Sequence, residues 1–210
     1  MANAKFKNET IIKTERLRLR PLAEKDVDFI WNARSHKEIY KWTYVSPSLL
    51  MAPGEKLTWM NHKSMAGQWL QKSQADDWVR NSLDTETNYN FVIELISTSP
   101  SQTEGDAPTD PVIIGSIGLF GDNELGYLFH PSYWGKGYAT EAVTAFVNAV
   151  WEALPEVQKV NGQVDSENVG SLAVLRKCGF VEEKKEEYEN VTMGRRIIVH
   201  CACLRPVQQE

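Results

Sequence analysis

Residues 124–142 read ELGYLFHPSYWGKGYATEA, and the architecture of the chain is decided in this stretch. Leu125, Tyr127 and Phe129 alternate along its first part, the period of a strand with one covered face, and Pro131 ends the run. The loop SYWGKG follows. From Tyr138 to about Ala153 the apolar residues Ala139, Ala142, Val143, Phe146, Val147, Val150 and Trp151 recur at three-four spacing, which predicts an amphipathic helix closed by Pro155. Gly135 and Gly137 remove side chains where the chain turns into that helix. Several free N–H groups then converge at a helix N-terminus, where the dipole also favours negative charge, so the loop is a candidate pyrophosphate cradle.

Two other phosphate-binding patterns fail on a required residue. A P-loop needs Gly five residues before the Gly-Lys pair and Ser or Thr after it, but His130 and Gly137 stand there. A dinucleotide fingerprint needs Gly or Ala three residues after Gly137, and that position is Thr140.

Upstream, TERLRLRP (residues 14–21) alternates Leu17 and Leu19 with arginines and reads as a strand. Helices are predicted over 23–39 and 73–83, separated by an irregular stretch rich in aromatics, Trp42, Tyr44 and Trp59 among them. Strands are predicted over 89–96 and 112–120. Between them STSPSQTEGDAPTDP (97–111) has no aliphatic side chain larger than Ala and reads as a mobile hairpin insertion. Downstream come a strand over 157–164, a helix over 169–177 closed by Gly179, and two final strands, the last over 195–204. The order β, α, α, β, β, β, α, β, α, β, β implies a mixed α/β fold with helices on both faces of the sheet. One domain over residues 1–210 is expected.

The 210 residues carry a net charge of −5, which argues against a nucleic-acid partner. No apolar run is long enough to span a bilayer, and residues 1–13 lack the apolar core of a secretory signal. Cys178, Cys201 and Cys203 cannot all pair and lack a second ligand pair for zinc, so reduced thiols in a cytoplasmic protein are expected. The four histidines show no metal-ligand spacing, and no metal is assigned.

The run 124–142 resembles the acyl-CoA-binding motif of the GNAT superfamily of N-acetyltransferases, most of all its Rim-type branch of ribosomal-protein N-terminal acetyltransferases. TERLRLRPL (14–22) is similar to that branch's first strand. Asn168-x-x-Ser171 followed by Lys177-Cys178-Gly179-Phe180 is similar to its second cofactor motif. The resemblance implies a single GNAT-fold domain with a central, mostly antiparallel twisted sheet. It also implies acetyl-CoA as co-substrate and direct transfer to a primary amine, either a protein or peptide N-terminus or a small amine. A monomer or homodimer is expected.

The implied cofactor contacts are Leu128, Phe129, Trp134, Gly135, Lys136, Gly137, Tyr138, Ala139, Thr140, Asn168, Ser171 and Arg176. In the family a bulge splays the strand before the cradle, which would free the backbone of Leu128 and Phe129 for the pantetheine arm and thioester oxygen. Phe129's side chain reads as core. Many superfamily members place a proton-donating Tyr where this chain has Leu175, and the Rim-type branch implies the Ser171 hydroxyl instead. Ser171 also reads as an ordinary first-turn serine, and Asn168 as a helix N-cap. Glu124 is the implied general base, with Glu94 a weaker option; a structural carboxylate is the other reading of Glu124. Lys136, Arg176 and Lys177 read either as phosphate contacts or as solvated charges. Trp42, Tyr44 and Trp59 fall where the family builds its acceptor site. A non-catalytic acyl-CoA-binding module of the same fold is the competing function.

Overall fold

A computed structural model describes residues 10–42, 71–83, 89–96, 111–190 and 193–207. Tyr44, Trp59 and residues 97–110 of the expected insertion lie outside these. In chain order the elements are β1 (Ile12–Lys13), β2 (Leu17–Pro21), α1 (Val27–Ser35), α2 (Lys37–Tyr40), α3 (Lys72–Ser82), β3 (Tyr89–Leu95) and β4 (Val112–Phe120). There follow β5 (Glu124–Phe129), α4 (Tyr138–Ala153), β6 (Lys159–Asp165), α5 (Val169–Lys177), β7 (Val181–Asn190) and β8 (Gly194–Leu204).

The expected helix over 23–39 is interrupted. A 3-10 turn covers Glu24–Asp26, and His36 is extended between α1 and α2. The His36 ring nitrogen Nδ1 accepts the Glu38 N–H, a cap that starts the second helix, so continuous apolar spacing did not prevent the break. The strand expected over 14–21 begins later, at Leu17 as β2, and the short β1 precedes it.

Among the described residues eight strands form one sheet in the order β1-β2-β3-β4-β5-β6-β8-β7, antiparallel throughout except for β5 beside β6. Alternation along each strand sorts two cores. Leu17, Leu19, Phe91 and Ile93 pack with α4 and α5, whereas Val92 packs with α1 and α3. Helices therefore cover both faces. On the α1–α3 face Arg18 and Arg20 both bond Glu94, and Arg20 continues to the buried Asp26. No helix among the described residues is long and apolar enough to cross a membrane.

Helix α4 is fixed at both ends. Gly137 caps its start with φ +82°, a left-handed conformation that strains any residue with a Cβ. At its far end Arg205 donates to the carbonyls of Trp151, Leu154 and Val157 at 2.7–2.9 Å and stacks on the Trp151 ring. A cation on those carbonyls complements the negative end of the helix dipole.

Between β5 and β6 the sheet opens. β5 pairs with β4 over its whole length, and β6 pairs with β8 over its whole length, but β5 and β6 meet only at Glu124↔Asn161. Each strand is held by its outer neighbour, so the two diverge from that single bridge. The expected splay is present, but β5 carries no bulge. Register shifts lie elsewhere, between β3 and β4 at Ile93/Glu94 and between β7 and β8 at Glu182/Lys184.

Candidate active site

The opening between β5 and β6 leads into a cleft of about 690 Å³. On one side it is lined by residues 133–135 and 137–140 of the loop and first turn and by the start of α5, and on the other by Trp42, Trp78, Asn90 and Ser116. The latter four belong to the α1–α3 side, so the cleft passes through the sheet and joins its two faces.

The register of β5 determines which main-chain groups line the opening. His130 N–H donates to the Ile114 carbonyl across the β4 ladder. Antiparallel pairs alternate in phase, so the N–H and C=O groups of Leu128 and Gly126 are turned toward β4. Those of Tyr127 and Phe129 are turned toward the opening. This corrects the expectation for Leu128: its main chain is committed to the sheet, and only its side chain lines the cleft. The Phe129 carbonyl is taken by the Trp134 indole N–H at 2.7 Å, which leaves the Phe129 and Tyr127 N–H groups as donors without a strand partner among the described residues.

The glycine loop lies against the cleft as expected. Gly135 and Gly137 both have positive φ, +73° and +82°, and nothing lies within 4 Å of a Cβ built at Gly135. The loop is clamped from far away in sequence. The Arg16 guanidinium donates to the Lys136 carbonyl at 3.1 Å and to Glu141 at 2.7 Å, and lies 4.6 Å from the Tyr138 ring centre. Glu141 also accepts from the Thr14 hydroxyl and the Arg16 N–H. Burial works against its charge, but these bonds outweigh burial and hold its carboxyl below the usual range. Nothing local to TERLRLRP announces a clamp on a loop 120 residues away.

Asn168 caps α5, its Oδ1 accepting the Ser171 N–H at 3.1 Å. Asn168 and Ser171 both line the cleft. Lys136 and Arg176 are not among its lining residues: the Lys136 ammonium lies over the Tyr133 ring, and Arg176 is paired with Glu182. Lys177 does line it.

Glu124 begins β5 on the α1–α3 side. Gln163 Nε2 donates to its Oε2 at 3.0 Å, and Oε1 has no hydrogen-bond partner among the described residues. Burial, reinforced by Asp122, raises the Glu124 carboxyl above its usual range. Glu94, in contrast, is engaged by Arg18 and Arg20 and does not line the cleft. The weaker base option is therefore a structural carboxylate.

The sequence reading missed Tyr127, whose alternation with Leu125 and Phe129 marked it only as core. Its hydroxyl donates to the Ser171 carbonyl at 3.3 Å, across the opening from β5 to α5. Burial pushes its pKa up to about 12, the neighbouring Ser171 opposing the shift. Among the described residues no group of three His, Cys, Asp or Glu could hold a metal.

A family model described as an acetyltransferase (GNAT) domain matches residues 16–181. The chain belongs to the GNAT acetyltransferase family. An N-acetyltransferase of Bacillus licheniformis, p20, described as uncharacterised, is 26% identical over 196 residues, covering 89% of this chain and 91% of that one. Among solved structures, a GNAT-family acetyltransferase from Bacillus anthracis superposes with a TM-score of 0.67 at 21% identity, over 93% of this chain and 98% of that one. The ribosomal-protein-S5-alanine acetyltransferase of Vibrio fischeri gives 0.67 at 14%, over 96% and 100%. A spermidine N-acetyltransferase from Vibrio cholerae, in complex with CoA and spermine, gives 0.64 at 19%, over 91% and 96%. These structural likenesses show the fold. This GNAT family member is an acyl-CoA-dependent N-acetyltransferase.

Proposed function

We propose that this GNAT enzyme transfers the acetyl group of acetyl-CoA to a primary amine by direct attack in a ternary complex. The observation that carries this reading is the cleft through the sheet at the β5–β6 opening. A donor entering from the glycine loop and an acceptor entering from the α1–α3 side meet there without any acyl-enzyme.

The residues present fit acetyl-CoA. Gly135 and Gly137 free the backbone of the loop and of the α4 N-terminus for pyrophosphate. The unpaired edge of β5 offers the pantetheine arm a strand to pair with, and its Phe129 and Tyr127 N–H groups face the opening. One such N–H aimed at the thioester oxygen supplies about 10²–10³ in rate. Asn168 caps α5 and borders the arm, and the Ser171 hydroxyl donates to the departing sulfur.

The acceptor amine arrives protonated and reacts only as the free base. Glu124 takes its proton, directly or through one water. Its raised pKa brings it nearer neutrality, the direction that makes a carboxylate a better base. Trp42 and Trp78 border the acceptor side, where an aromatic face suits a cation or an apolar side chain. The acceptor class comprises peptide N-termini and small amines.

Incubating the enzyme with acetyl-CoA and a panel of N-terminal peptides, polyamines and amino sugars tests the proposal. Amine-dependent CoA release with an acetylated amine in the mass spectrum is expected. CoA bound tightly but never consumed with any amine would identify a silent binding module.

A further inference from the structure

We propose that the Tyr127 hydroxyl is a hydrogen-bond donor to the departing thiolate, acting from β5 opposite Ser171 on α5. The inference rests on the acetyl-transfer reading above and adds a residue to it. Tyr127 lines the cleft, and its main chain faces the opening through which the arm passes. Its side chain reaches the first turn of α5, where the hydroxyl meets the Ser171 carbonyl at 3.3 Å. That bond is long and exchangeable. The carbonyl belongs to a helix, whose own ladder supplies a second donor four residues on, so releasing the phenol orphans nothing.

Other candidates at this point of the cleft are poorer. Leu175 has no hydroxyl, and its side chain is buried beside Gly162. The Ser171 alcohol is a weaker acid than a phenol, whose unperturbed pKa is about 10, and hydrogen-bond donor strength follows acidity. Burial raises the Tyr127 pKa to about 12, which lowers its donor strength somewhat but keeps the phenol protonated with its hydrogen to offer.

Glu124 first takes a proton from the ammonium and passes it to water; the amine lone pair then forms the new C–N bond, and the proton of the resulting adduct leaves to Glu124. As the tetrahedral intermediate collapses, the C–S bond breaks and its electron pair stays on sulfur. A thiol has a pKa of about 8.5, well below that of the buried phenol, so the proton remains on oxygen. Tyr127 stabilises the thiolate by a charge-assisted hydrogen bond, and CoA takes its proton from water after release.

The test compares CoA with desulfo-CoA, titrated into wild type and Tyr127→Phe at a pH above that of thiol ionisation. Wild type is expected to prefer CoA. Tyr127→Phe is expected to lose CoA affinity about tenfold with desulfo-CoA binding unchanged, the size of a hydrogen bond to a charged group. With an accepted amine, kcat should fall while KM for acetyl-CoA holds. Equal affinity of wild type for the two ligands would overturn the role without needing the variant. So would equal changes, or none, in the variant. If wild type binds neither ligand, the acetyl-CoA reading itself fails and this inference with it.

Discussion

Replacing Glu124 with Gln is expected to lower kcat by about 10²–10⁴ and to raise thermal stability at neutral pH. The two effects come from one cause. The folded protein raises the Glu124 carboxyl pKa, mainly by burial and then by the charge of Asp122. The group's favourable contribution to folding is therefore complete below its unfolded pKa, and it is lost as pH rises through the higher folded value. Above that folded pKa the enzyme holds an ionised carboxylate in a poor environment, which is what a base requires. Gln keeps the shape and an oxygen for the Gln163 amide, and carries no charge to bury. Wild type should show an acid limb in kcat/KM displaced above the ordinary carboxylate range, and Glu124→Gln should lack it. A variant with the wild-type pH–rate profile would remove Glu124 from the reaction.

A second large effect is expected at Asp165, where Ala should cost about 3–5 kcal/mol of stability, the usual penalty for removing one partner of a buried ion pair. Asp165 is only 7% exposed. It accepts from the Tyr188 hydroxyl at 2.7 Å, from Arg196 Nε and Nη2 at 3.0 and 2.7 Å, and from the Glu167 N–H at 2.8 Å. One carboxylate thus joins β6, β7, β8 and the turn that delivers Asn168 and Ser171 to the cleft. Urea denaturation should give a lower midpoint with an unchanged slope. Burial opposes the charge, but the bonds from Arg196, Tyr188 and the Glu167 N–H prevail and hold the pKa below its usual value. The stabilisation is present above the unfolded carboxylate pKa and is lost as pH falls through the lower folded one. Asp165→Asn should flatten that acid limb of the stability curve. A midpoint within error of wild type for Asp165→Ala would show that the network holds nothing together.

The elements nearest the chemistry were legible because local pattern and tertiary role agree there. The apolar spacing of α4 and the Asn168 and Gly179 boundaries of α5 predicted both helices with the bounds observed, Tyr138–Ala153 and Val169–Lys177. β7 was harder to delimit. VEEKKEEYEN lies at the sheet edge with nearly every described side chain exposed, so no covered face imposes alternation. The opening beside β5 is a property of partners: nothing in ELGYLF states that β6 will follow β8. For the same reason the ladder phase that turns Phe129 toward the opening and Leu128 away from it was not readable. Arg16 and Arg205 act across long sequence separations, and the engagement of Glu94 needed the adjacent strand. Tyr127 was hidden because a strand tyrosine at an inward position looks like any other core residue.

Thermal unfolding with acetyl-CoA, NAD and ATP, each in large excess, tests the central claim most directly. A ligand at a hundred times its dissociation constant stabilises by about 2.7 kcal/mol, which for a chain of this size raises Tm by roughly 5–10 °C. A rise with acetyl-CoA alone is the predicted result. No response to acetyl-CoA, together with a clear rise for NAD or ATP, would contradict the account.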